Sequence, residues 1–297
     1  MYYAVFDIGG TGVKHALMTC SAEILTSGSF PSPKDNIENL VNKLTAVVDE
    51  YKQQKALAGI ALSVPCATNP VKRHVSRNGA LYYLDGSNLY DMLHARTGLP
   101  IELENDGNCA ALAEGFKGSA VDCNYYVALV LGTGLGGSVV INKRIIHGKN
   151  NHGGEIGSAI IDNPLQEPIG ATISSKASIG GLITNTAAAL GVCPSTLTGK
   201  DIYKMAEEGK EIAQKEIQKF YRYLAVVAFN IQYTLDPEKI LVGGAVSQNP
   251  KLFEEVNRIL ASMKAQRHFL DISIEPCFFY EKANLVGALC NFLDRAG

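Results

Sequence analysis

A strand, a Gly-Thr-Gly tip and a returning strand occur twice in this chain, and the duplication limits what it can fold into. Residues 2–8 (YYAVFDI) read as a buried strand, Gly9-Gly10-Thr11-Gly12 breaks it, and residues 13–19 (VKHALMT) read as the return. At an offset of 122 residues, Tyr3…Gly10-Thr11-Gly12 falls on Tyr125…Gly132-Thr133-Gly134. There the strand is 125–131 (YYVALVL), the turn is Gly132 to Gly137 and the return is 138–141. Each copy opens a mixed α/β stretch. The period is far beyond the roughly 20–50 residues of solenoid units. Two topologically similar α/β halves facing each other across a cleft are therefore expected, and a cleft is the usual place for a ligand. The 297 residues agree, since single cores stop growing at roughly 250–300.

Between and after the hairpins, the patterning alternates helix and strand. Ile37, Leu40, Val41, Leu44, Val47, Val48 and Tyr51 have helical spacing within 36–56, with Asp35 or Asn36 as N-cap. Short strands are predicted at 59–64, 101–104, 240–242 and 270–274, and helices at 89–97, 108–116, 250–263 and 284–293. Residues 172–190 and 200–234 are helix-rich, and 66–86 reads as irregular. A net charge of −2 gives no chain-wide basic field, so nucleic-acid binding is not expected. The seven cysteines show no C-x-x-C pair, which fits buried free thiols in a reducing compartment. The N-terminus lacks a basic region ahead of Asp7, and no apolar run approaches the roughly 20 residues of a membrane span. A cytoplasmic protein with no membrane partner is the expectation.

Five segments could carry chemistry. In Asp7-Ile8-Gly9-Gly10-Thr11-Gly12, the hairpin tip exposes N–H groups with no Cβ to keep a phosphate away. Thr11 adds a hydroxyl, Lys14 a cation, and Asp7 stands where a hydrated Mg²⁺ would sit; a tight β-turn is the alternative. Gly132-Thr133-Gly134 offers a second phosphate-facing hairpin, or a bulged turn. The first loop lacks the G-x-x-x-x-G-K-[ST] of a Walker A, and a strand rather than a helix follows each loop, against a dinucleotide fingerprint. Gly243-Gly244 ends an apolar strand, where a flat ring such as adenine could approach the backbone; a plain strand-to-helix turn is the other reading. Glu104-Asn105-Asp106 ends a strand just before a helix. Asp106 could be a general base and Asn105 a hydroxyl ligand, or the two could simply cap the helix. Glu155, among glycines, could accept from two sugar hydroxyls or be a loop carboxylate. His147 and His152 read as solvated loop side chains and no metal ligand set is assigned; Lys72-Arg73-His74…Arg77 reads as a solvated basic run.

Taken together these segments resemble the ROK family of sugar kinases and repressors, within the actin-like ATPase superfamily. The likeness is carried in order by DIGGTGVK at 7–14, SVP at 63–65, ENDGNCAALAE at 104–114, LGTGLGGSVV at 131–140, GGEIG at 153–157 and LVGGAVSQNP at 241–250. It implies that Asp7, Gly9, Gly10, Thr11 and Lys14, with Gly132, Thr133 and Gly134, contact the phosphates of ATP–Mg²⁺. It implies Gly243 and Gly244 at the adenosine, Asp106 as catalytic base, and Asn105 and Glu155, with Asp106, on the sugar. The family often continues E-I-G-H and then carries a C-x-C-G-x-x-G-C zinc site. Here Ser158 replaces that His and 159–192 hold no Cys, so no structural zinc is predicted. A further sugar-binding Glu has no secure counterpart between Asp162 and Ser178, and Cys66 stands where Gly commonly follows the Pro.

The resemblance implies an α/β chain of two RNase H-like domains. A smaller one covers 1–117 with the terminal helix of about 281–297, and a larger one covers 118–280. The expected reaction moves the γ-phosphoryl group of ATP to the 6-hydroxyl of a hexose or hexoside, with glucose, a β-glucoside and N-acetylmannosamine all open. A catalytically silent sugar-binding regulator and an actin-like ATPase with a protein partner are the competing expectations. The chain begins directly at the first hairpin strand, which disfavours the repressor branch. Family members are often dimers, which leaves a homodimer open.

Overall fold

The computed structural model describes residues 1–65, 67–69, 74–76, 81–165, 170–267, 270–280 and 282–296, with only the backbone of 67, 69, 74–76, 266, 267 and 296. The chain divides into two units. One comprises Met1–Val121, Arg144–Gly153 and Glu281–Gly297, and the other Asp122–Lys143 and Gly154–Tyr280. Residues 144–153 thus fall with the first unit, whereas the sequence reading ran the second domain unbroken from 118.

The first unit begins with β1 (Tyr2–Ile8), β2 (Gly12–Thr19), β3 (Ile24–Pro31), α1 (Ile37–Gln54) and β4 (Leu57–Val64). There follow β5 (Ala67–Asn69), β6 (His74–Ser76), α2 (Leu89–Thr97), β7 (Ile101–Asn105) and α3 (Asp106–Lys117). Its sheet has the order β3-β2-β1-β4-β7. The hairpin strands pair antiparallel, and β1, β4 and β7 run parallel. Asn36 caps α1, its side chain accepting from the Asn39 N–H, and Leu40, Val41, Leu44, Val48 and Tyr51 form the helix's buried stripe.

In the second unit, β8 (Tyr125–Leu131) pairs antiparallel with β9 (Leu135–Ile141). A two-residue strand, β10 (Arg144–Ile145), belongs to the first unit. Then come α4 (Ile173–Ala177), α5 (Ile179–Leu190), α6 (Gly199–Glu207), α7 (Glu211–Leu235), β11 (Lys239–Gly243), α8 (Pro250–Arg267) and β12 (Glu275–Pro276). Strand β11 runs parallel to both β8 and β12, so the second sheet repeats the plan of the first: a hairpin, then parallel neighbours. Its core joins Val127, Leu129, Phe220, Leu224, Val242 and Leu252. The strand expected at 270–274 is not formed there. The pairing with β11 is made by Glu275 and Pro276, one step beyond the apolar run.

The last helix, α9 (Ala283–Ala296), returns to the first unit and packs on α3, β1, β4 and β7. Leu285, Val286, Leu289 and Phe292 are buried there. A Cβ on Gly287 would overlap the Cys109 carbonyl, so the two helix backbones touch at that point. No helix among the described residues is long and apolar enough to cross a membrane.

Candidate functional site

The parallel strands of the first unit bring polar side chains to one sheet edge. Register pairs Asp7 with Ser63 and Ser63 with Glu104, so these three lie in a row across the ends of β1, β4 and β7. Ligands of open α/β sheets bind beyond such carboxyl ends. The Ser63 hydroxyl donates to Asp7 Oδ1 at 3.0 Å, and the Asn284 amide, from the start of α9, donates to the same oxygen at 3.0 Å. Two neutral donors therefore fix the orientation of the carboxylate. Beside it, the turn is closed by the Gly9 N–H on the Gly12 carbonyl at 3.0 Å. Ser32 Oγ donates to the Gly9 carbonyl at 2.6 Å, Ser32 N–H to the Thr11 carbonyl at 3.1 Å, and Lys34 Nζ to the Gly10 carbonyl. These bonds hold the tip carbonyls, and Thr11 is exposed. Lys14 is exposed and lies opposite Asp7 in the hairpin register. Ser32, Lys34, Ser63 and Asn284 escaped the sequence reading; each sits far from its partner along the chain, and only SVP hinted at Ser63.

At the end of β7, Asn105 is the N-cap of α3 and its Oδ1 accepts from the Asn108 N–H at 3.1 Å. The helix starts at Asp106, two residues before the predicted start. Asp106 is half-buried, and its Oδ1 accepts from Asn105 Nδ2 at 3.0 Å and from the Gly107 N–H at 2.8 Å. Capping and chemistry are thus compatible: Asn105 supplies the cap, and the amide that it turns the other way orients Asp106. Behind them Glu104 is fully buried. Its Oε1 accepts from Thr68 Oγ1 at 2.9 Å, the Asn105 N–H at 2.8 Å and Asn108 Nδ2 at 3.0 Å. Its Oε2 lies 2.7 Å from His147 Nε2. Burial pushes the Glu104 carboxyl up, but the His147 ring, with Asn108 and the Asn105 N–H, outweighs that and holds it below the usual carboxylate range. His147 is therefore not the solvated loop residue expected: its side chain is only 17% exposed and joined to Glu104. His152 is exposed, as read.

In the second unit, the turn is closed by the Gly132 N–H on the Gly134 carbonyl at 2.9 Å. The start of α5 carries this tip. Ser178, its N-cap, donates to the Thr133 carbonyl at 3.1 Å, and the Gly180 N–H donates to the Gly132 carbonyl at 3.1 Å. Ser174 Oγ of α4 accepts from the Leu135 N–H at 3.0 Å. A Cβ on Gly180 would overlap the Thr133 carbonyl. At the end of β11, Gly244 has φ +96°, a conformation costly for any side chain, and a Cβ there would overlap the Leu131 carbonyl. The following turn, Ala245–Gln248, is 3₁₀ rather than α. It borders a cavity of about 590 Å³ lined by Ile179, Thr198, Tyr203, Lys204, Ala245 and Val246 among others. Burial, then Tyr221, raises the Tyr203 phenol well above its usual range, so it stays neutral against the cavity.

Glu155 precedes the turn Ile156–Ser158, is exposed, and makes no side-chain cap bond there. The turn is seated on β9: a Cβ on Gly157 would overlap the Leu135 carbonyl, and Ile156 lies against Gly137. Cys66, the basic residues 72, 73 and 77, and residues 166–169 of the segment searched for a further Glu lie outside the described residues. Among the described residues no group of three or more His, Cys, Asp or Glu could hold a metal ion.

Comparison with known proteins gives a consistent result. The model of the ROK family matches residues 2–294. A β-glucoside kinase of Listeria innocua is 29% identical over 296 residues, 99% of this chain and 98% of the relative. A glucokinase of Halalkalibacterium halodurans is 28% identical over 270 residues, 83% of this chain and 81% of its own. Among solved structures, a ROK family protein from Streptococcus pneumoniae in complex with sucrose is 33% identical, with a TM-score of 0.90 over 100% of this chain and 99% of the other.

Proposed function

The chain belongs to the ROK family, and from that premise we propose that it is an ATP-dependent sugar kinase acting on the 6-hydroxyl of a hexose or hexoside. Its α/β fold is that of the actin-like ATPase sugar kinases. The observation that carries the reading is Asp106 at the first position of α3, aimed by the Asn105 amide and the Gly107 N–H at the edge of the sheet that also holds Asp7. A free alcohol is a poor nucleophile at neutral pH. Asp106 would take the hydroxyl proton as the sugar oxygen bonds to the γ-phosphorus and the bond from that phosphorus to the β-phosphate oxygen breaks, releasing ADP. Asn105 and Glu155 would hold neighbouring hydroxyls.

The hairpin tip of the first unit, with Gly9, Gly10, Thr11 and Lys14, would receive phosphate oxygens, and Gly132, Thr133 and Gly134 of the second unit form a tip of the same kind that suits the same ligand chemistry. The cavity beside Gly243 and Gly244 suits a flat base, with Ile179, Tyr203, Ala245 and Val246 as apolar walls. Asp7 fits a hydrated Mg²⁺, which is usually bound through one or two carboxylates and substrate phosphates. When bound, that ion would neutralise phosphate charge. The β-glucoside kinase and glucokinase among the relatives point to glucose or a β-glucoside as the first sugars to try. A coupled ADP-release assay over a panel of monosaccharides and β-glucosides tests this. Sugar-dependent ADP release with at least one hexose or hexoside is expected; sugar binding with no turnover across the panel overturns the kinase reading in favour of a silent regulator.

A further inference from the structure

Glu104 is a carboxylate that holds four donors, three on Oε1 and one on Oε2, with almost no contact with solvent, yet the proposed reaction gives it no task. Its four partners come from four places: Thr68 in β5, the backbone of Asn105, the side chain of Asn108 in α3, and His147 in the segment after β10. An ionised carboxylate only accepts, so the His147 Nε2–H must be the donor at 2.7 Å. Two of these bonds grip the residues on either side of Asp106. The Asn105 N–H fixes the backbone from which the sugar-facing amide projects, and Asn108 fixes the first turn that begins at Asp106. His147 is itself held, since its carbonyl accepts from the Gly153 N–H at 2.8 Å.

We propose that the Glu104–His147 pair is a positioning device for Asn105 and Asp106, tying the start of α3 to the 144–153 segment so that the base and the amide point at the sugar. The inference rests on the kinase reading above. Charge-assisted bonds to a buried carboxylate are short and strongly directional, so losing one lets the carboxylate turn and carries Asn105 and Asn108 with it. A misplacement of about 1 Å at a reacting group costs roughly 10²-fold in rate. ATP phosphates would meet other residues, so the damage should be confined to the sugar side.

The test compares His147→Ala with His147→Gln, whose amide nitrogen can still donate to Glu104. With the best sugar from the panel, His147→Ala should lose roughly 10- to 100-fold in kcat/KM for sugar while KM for ATP changes by less than about twofold. His147→Gln should recover most of that loss. Hydrogen exchange gives a readout independent of catalysis: amides of 105–110 should exchange faster in His147→Ala and near wild-type rates in His147→Gln. Unchanged sugar kinetics in His147→Ala, or a uniform fall in both substrates' parameters with no rescue by Gln, overturns the proposal. If the wild-type chain releases no ADP with any sugar, the kinase reading fails, and unchanged exchange at 105–110 then separately overturns the positioning role.

Discussion

Asp106 and Asn105 show how one short motif can combine a helix cap with the proposed chemistry. Asn105 uses its oxygen to cap α3 and its nitrogen to aim Asp106, so neither function excludes the other. Asp106→Asn preserves hydrogen bonding and volume but removes the basic site. It should keep sugar binding by calorimetry and lose roughly 10²- to 10⁴-fold in kcat; near-full turnover would remove Asp106 from the role of base. The sequence displayed this tripeptide plainly, because its meaning lies within three adjacent residues. The supports behind it were hidden. Glu104 meets His147 across 43 positions, and Asp7 meets Asn284 across 277, separations that no local pattern encodes. His147 looked like an ordinary loop residue because its partner is supplied only by tertiary folding.

Among the elements, β2 carries a half-buried histidine. His15 Nδ1 lies 2.7 Å from the Tyr51 hydroxyl of α1, and its ring sits among Phe6, Phe30 and Tyr51. Burial lowers its pKa, against a smaller opposing pull from Glu50, and the Tyr51 phenol is pushed up to about 12. A lowered histidine means that the unfolded chain takes up the proton first. The stability linked to His15 is therefore intact above the unfolded value of about 6.5 and is lost as pH falls below it. The difference in melting temperature between wild type and His15→Gln should narrow from pH 7.5 to 5; a constant difference would show that His15 does not titrate in this window. The start of α5 gives a second prediction. Gly180→Ala would press a methyl group into the Thr133 carbonyl, and overpacking of this kind costs roughly 1–3 kcal/mol or a shift of the loop. Steady-state kinetics should show KM for ATP raised several-fold and KM for sugar little changed. The hairpins and long helices were legible because their periodicity is strong. Strand β3 was not: ILTSGSFP, rich in Ser, Gly and Pro, is an exposed edge strand with no buried face to write an alternation. Strand β12 was misplaced because two residues suffice for its pairing.

At the scale of the whole molecule, the first unit is discontinuous, assembled from residues near both ends of the sequence and a short piece from the middle. The repeat announced two related halves, and family resemblance placed the last helix with the first half. Nothing local announced the 144–153 piece, which meets the first unit through His147 on the buried Glu104 and through Arg144 beside Asp294. Gly287→Ala would force α9 away from Cys109. Hydrogen exchange should then rise in 2–8, 57–64, 101–117 and 283–296 and stay unchanged in 125–141 and 211–243; a uniform rise would contradict the assignment of α9 to the first unit alone. The same arrangement has a consequence for synthesis. While a ribosome makes this protein, β1, β4 and β7 emerge early, but the helix that covers them is translated after the entire second unit. Their greasy flank must stay bare through well over a hundred further peptide bonds, which makes the nascent chain a natural client for a chaperone that shields apolar surface.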